Sequence, residues 1–159
     1  METTAYHEAG HALIAVHVGA DVQSVTIDPD WDDGPRRFGD TQIEWLLNDV
    51  SERTFREHRI LVALAGPVAE MLYTGDPYHP GLVSEWSSDW TEAWDAAAAL
   101  VADHQQRLTF LEQSAQELYQ LLNTPRCWSA LAALADELLA HETLEGGQVE
   151  EIVNPWLQI

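Results

Sequence analysis

Little in this chain of 159 residues could hold it together covalently or anchor it in a membrane. Cys127 is the only cysteine, so no internal disulfide framework exists, and the usage suits a reducing compartment. Basic residues are scarce, 7 against 27 acidic ones, for a formal charge of −20. Such a surface repels nucleic acid and anionic lipid, both of which are gripped by neutralising phosphate with basic side chains. The partners it favours are neutral or cationic. No apolar run approaches the roughly 18 residues that span a bilayer, and the start lacks a basic segment followed by an apolar core. The expectation is a soluble, cytoplasmic protein. No G-x-x-x-x-G-K-[ST] stretch is present to cradle the phosphates of ATP. Repeats, low-complexity segments and convincing linkers are also missing, so 159 residues with 46% apolar content predict one domain able to bury its own core.

What is there begins almost at once. Residues 3–19, TTAYHEAGHALIAVHVG, read as a helix over 4–18 that is apolar on nearly every face, with Thr4 as a cap and Gly19 at its end. A helix this apolar is normally buried, which makes His7, Glu8 and His11 expensive inside it unless something satisfies them. Positions i and i+4 share a helix face, so His7 and His11 can aim their imidazoles at one ion. Glu8 stands beside them, placed to take a proton from a water rather than to bind the ion. Two nitrogen ligands, an open coordination position and a general base are the physical content of an HExxH sequence. The competing reading is a buried helix whose histidines find backbone partners. A catalytic zinc ion usually has a third protein ligand. Glu70, Glu85, Asp89, Glu92 and Asp95 are candidates, and spacing alone does not choose among them.

The rest of the chain reads as a mainly α, α+β arrangement. Val22–Ile27 alternates as a strand, DPDWDDGPRRFGD is a long turn, and 38–45 forms a second short strand. A helix follows over 51–74, with Asp49 and Glu52 spaced as a capping box, Gly75 at its end, and a kink or break expected at Gly66-Pro67. Helices over 89–104, 105–122 and 126–142 come next. Leu108, Leu111, Ala115, Leu118 and Leu122 stripe the second of these, and Trp128, Leu131, Ala135 and Leu138 the third, as core-facing positions do. Asp89 and Glu92 also have capping-box spacing. His17, His58, His79, His104 and His141 lie outside the motif and read as ordinary histidines.

TAYHEAGHALIA resembles the active-site helix of the FtsH-type AAA zinc metalloproteases, and further segments follow in the same order. VTIDP is similar to the strand after that helix, LVALAGPVAEMLYTG to the family's glycine-containing helix, and SSDWTEA to the segment carrying its aspartate ligand. ALADELLAHETLEGGQVEEIV is close to its C-terminal helix, turn and final helix. The resemblance implies a helical zincin-like peptidase domain, with the metal site and a small sheet in 1–104 and a helical bundle in 105–159. It further implies that His7, His11 and Asp89 hold one Zn²⁺ and that Glu8 is the general base; Glu70 either supports a ligand imidazole or is merely a polar residue at a helix edge. The strand containing Phe38, Gly39, Asp40 and Thr41 would pair with an extended peptide or unfolded substrate, the competing reading being a plain edge strand. Two departures stand out. The family's transmembrane segments and ATPase module have no counterpart here, which implies ATP-independent hydrolysis or a separate partner that delivers substrate. Homo-oligomers are a further possibility, because the family forms rings. Glu85 and Trp86 replace small residues before Asp89, and a bulky Trp86 there is expected to narrow or block the cleft. A non-catalytic binding or regulatory module is therefore the alternative reading.

Overall fold

The computed structural model describes residues 1–28, 39–47, 50–77 and 79–157. Its centre is helix α1 (Glu2–His17), which is followed by strands β1 (Asp21–Thr26) and β2 (Asp40–Glu44). Helix α2 (Glu52–Thr74) comes next, and two single-turn 3-10 segments, Pro80–Leu82 and Ser84–Trp86, lead into α3 (Ser87–Ala98). The chain closes with α4 (His104–Leu122), α5 (Pro125–His141), β3 (Thr143–Glu145) and α6 (Gly146–Leu157). The mainly helical expectation holds, and the small sheet is three-stranded and antiparallel in the order β2-β1-β3.

α1 packs against α2, α5, β1 and β2, so its apolar residues are enclosed on all sides. Ala5, Ala9 and Ala12 are fully buried, and the side chains of Leu13 and Ile14 almost so. Burying each of those two larger side chains contributes about 1.5–3 kcal/mol. Small residues let α1 and α2 cross at close range: a Cβ on Gly10 would stand 2.5 Å from the Ala65 carbonyl oxygen. The C-terminal helices do not stand apart from the first 104 residues. Leu111, Leu131, Leu134 and Leu138 join the same core cluster, and Tyr6 of α1 stacks on Trp128 of α5 at 5.5 Å.

Local rules misjudged several boundaries. α1 starts at Glu2, so Thr4 lies inside the helix and Met1 occupies the cap position without a side-chain bond. Ser51 caps α2 by accepting from the Thr54 N–H. Asp49, the expected cap, lies outside the described residues. No break occurs at Gly66-Pro67: α2 runs continuously from Glu52 to Thr74. The lost hydrogen bond at an interior proline costs ~3 kcal/mol. Burial of Ile60, Leu64 and Val68 on the same helix outweighs it. The helix expected over 89–104 ends at Ala98, and Asp103 caps a new one by accepting from the Gln106 N–H. Arg107 is buried. It donates to the carbonyls of Val101 and Ala102, and its guanidinium lies 4.7 Å above the Trp94 ring.

Candidate metal centre

Three helices bring the site together. α1 supplies His7 and His11 one turn apart, α2 supplies their supports, and the first turn of α3 supplies Asp89. The two Nε2 atoms face each other at 3.2 Å. Asp89 Oδ2 lies 2.9 Å from His7 Nε2, and Oδ1 lies 3.3 Å from His11 Nε2. One ligand atom from each of the three residues falls within 4.8 Å of the others.

The hydrogen-bond partners decide what those atoms can do. His11 Nδ1 is 2.6 Å from the Val62 carbonyl oxygen, which only accepts, so Nδ1 carries the proton. His7 Nδ1 donates to Glu70 Oε2 at 2.9 Å. In both neutral rings the lone pair is therefore on Nε2, pointing at the other ring and at a carboxylate. Two lone pairs and an anion cannot sit this close without a positive charge between them. Protons or a cation must supply it. A tetrahedral ion with ligands at about 2.0–2.1 Å places neighbouring ligand atoms roughly 3.3 Å apart, close to the separations seen here. The donor set and its spacing fit a divalent metal.

The electrostatics point the same way. Burial opposes a charge on His7, yet its hydrogen bonds to Asp89 and Glu70 outweigh it and raise its pKa from 6.5 to about 10. His11 is also raised, burial again being overcome by the charge and hydrogen bond of Asp89. Burial alone would push Asp89 up, but the two imidazoles hold it well below the usual carboxylate range. In the metal-free chain these shifts favour protonated imidazoles beside an ionised Asp89.

Glu8 is 5% exposed, and burial pushes its pKa up against the pull of His11 and His7. Its Oε1 accepts from Thr41 Oγ1 at 3.1 Å. Gly39 is pressed into the same spot: a Cβ there would stand 2.8 Å from Glu8 Cγ and 2.9 Å from the Thr26 carbonyl oxygen. The start of β2 therefore lies against the candidate base. Asp40 opens that strand, paired opposite Thr26, and Phe38 lies outside the described residues.

Of the five acidic candidates for a third ligand, only Asp89 reaches both Nε2 atoms. Glu70 meets His7 at the far nitrogen, Glu92 pairs with Arg59 at 3.5 Å, and Glu85 accepts from the Ser84 hydroxyl at 3.3 Å. Asp89 is not a helix cap, since α3 begins two residues earlier and has no side-chain cap bond. Trp86 is 5% exposed, and its indole N–H donates to Glu70 Oε2 at 2.7 Å. His79 accepts from the Gly81 N–H, His104 packs on Trp94 at 5.9 Å, and His141 pairs with Glu137 at 3.3 Å.

Sequence reasoning missed two contributors, the Val62 carbonyl and Gly66, and did not foresee the bond from Trp86 to Glu70. A Cβ on Gly66 would stand 2.3 Å from His11 Nε2, so the His11 ring lies directly on the α2 backbone. The adjacent proline drew attention to this position as a helix breaker, whereas its small size is what the site uses. No helix among the described residues is long and apolar enough to cross a membrane. No known protein-family model matches the chain.

Proposed function

We propose that this domain is a zinc-dependent endopeptidase, similar in its site to the FtsH-type peptidases, that hydrolyses extended peptides or unfolded segments without ATP. The observation that carries the reading is the convergence of two Nε2 lone pairs and the Asp89 carboxylate beside a buried glutamate. When bound, zinc supplies a Lewis acid for the scissile carbonyl and makes water ionisable near neutral pH. His7, His11 and Asp89 would hold it. Glu8 takes the proton of the attacking water and passes it to the leaving amide nitrogen. With Oε1 engaged by Thr41, Oε2 is the oxygen that carries this proton. Its raised pKa suits a group that must both accept and release a proton.

β2 is an edge strand, paired to β1 on one side only among the described residues. A peptide added along its other edge would pass Glu8, bound through main-chain groups and therefore with little sequence preference. The alternative, a non-catalytic binding module, draws on the missing ATPase module and on Glu85 and Trp86 in the loop before Asp89. The test is turnover of a labelled unfolded protein by the zinc-loaded chain. Cleavage that stops with chelator and with Glu8→Gln supports the peptidase; stoichiometric zinc with no cleavage supports the binding module.

Proton and metal compete for this centre, which sets its pH dependence. His7 is raised from 6.5 to about 10, so the stability it confers on the metal-free chain is complete below pH 6.5 and is lost as pH rises through about 10. Zinc needs deprotonated imidazoles, so its stabilising effect grows over the same interval. Thermal melts of metal-free and zinc-loaded protein should therefore diverge as pH increases from 6.5 to 10. Parallel curves would contradict this competition.

A further inference from the structure

We propose that Trp86 is a positioning residue of the metal centre: its indole N–H, acting through Glu70, fixes the orientation and tautomer of His7. This rests on the reading of His7, His11 and Asp89 as metal ligands. Trp86 closes the 3-10 segment Ser84–Trp86, immediately ahead of α3, and is almost wholly buried. An indole N–H donates and never accepts. It lies 2.7 Å from Glu70 Oε2, and the same oxygen lies 2.9 Å from His7 Nδ1. A carboxylate oxygen accepts through two in-plane lone pairs, and both the indole N–H and His7 Nδ1 lie within hydrogen-bond reach of Glu70 Oε2. With the carboxylate accepting from the indole and from His7 alike, the proton between Oε2 and His7 sits on Nδ1. Nε2 is left with its lone pair directed at the centre. Trp86 thereby sets the tautomer of a ring it does not touch.

The same residue anchors a second ligand through the chain. Trp86 precedes Asp89 by three positions, and α3 starts at the residue that follows it. Tying the indole to Glu70 on α2 holds the first turn of α3 at the height where the Asp89 carboxylate meets both imidazoles. One side chain thus links the α2 support, the α1 ligand and the α3 ligand. Partners of this kind, one step out from the ligands, change metal affinity by about 10–100-fold when lost.

The test separates the N–H from the bulk of the ring. Position 86 is occupied by benzothienylalanine, which keeps the tryptophan shape and lacks the donor, and by phenylalanine in Trp86→Phe. Zinc affinity is measured by competition with a chromophoric chelator, and the ligand field by the visible absorption of the cobalt-substituted protein. The expected result is a roughly tenfold loss of zinc affinity with shifted cobalt bands in both proteins. In a Glu70→Ala background, loss of the donor should change neither quantity further, because the route to His7 is already cut. Parent-like affinity and parent-like cobalt bands in the benzothienylalanine protein would overturn the positioning role while leaving the metal centre intact. A parent chain that binds no zinc would overturn both.

Discussion

Gly66→Ala is expected to weaken zinc binding sharply while leaving α2 as helical as before. The added Cβ would stand 2.3 Å from His11 Nε2, 2.7 Å from Cε1 and 2.8 Å from Cδ2, closer than Cβ atoms approach other heavy atoms. The ring cannot retreat, because its Nδ1–H is held by the Val62 carbonyl at 2.6 Å and α1 is packed against α2, α5, β1 and β2. His11 must leave its position or α1 must separate from α2. Helix propensity runs the other way, since alanine is favoured over glycine in a helix interior by about 0.5–1 kcal/mol. Overpacking costs about 1–3 kcal/mol, so the fold should survive with modest net destabilisation. Zinc affinity should fall on the order of 100-fold or more, the consequence of misplacing a ligand rather than a support. Equilibrium dialysis with circular dichroism on the same sample checks both halves. Parent-like zinc affinity in this variant would show that His11 does not lie where the site requires.

Glu8→Gln should reduce peptide hydrolysis by about 10²–10⁴-fold and leave zinc binding unchanged. Glutamine keeps the shape of the side chain and an oxygen that can accept from Thr41 Oγ1, so the packing with Gly39 and Thr41 is preserved. The amide has no proton to shuttle. Stability should be equal or slightly higher, because a neutral group replaces a carboxyl that burial already pushes toward its neutral form. The measurement is kcat on an unfolded substrate alongside metal content. Full activity with zinc bound would remove Glu8 from the chemistry and shift attention to another base.

The part of this site visible in the sequence is the part governed by local geometry. His7, Glu8 and His11 depend only on helical spacing and on a helix too apolar to sit at the surface. Asp89 and Glu70 are 82 and 63 residues from His7 along the chain, and no spacing rule joins them. The likeness to a known peptidase, rather than periodicity, singled them out. Gly66-Pro67 shows a local rule overridden: the pair is a helix breaker in isolation, but the close crossing of α1 and α2 needs a residue without a side chain there. Trp86 shows the reverse difficulty, since a bulky residue beside a ligand says nothing about which way its indole faces. The strands were found because β1 alternates, Val22 and Val25 being buried around a register shift, whereas the third strand, Thr143–Glu145, was too short to stand out.

The most direct measurement is X-ray absorption at the zinc edge of the loaded chain, with zinc quantified in the same preparation. The account predicts one zinc per chain, with two imidazole nitrogens and at least one carboxylate oxygen at about 2.0–2.1 Å. Zinc surrounded by oxygen alone, or no stoichiometric zinc after reconstitution, would contradict it.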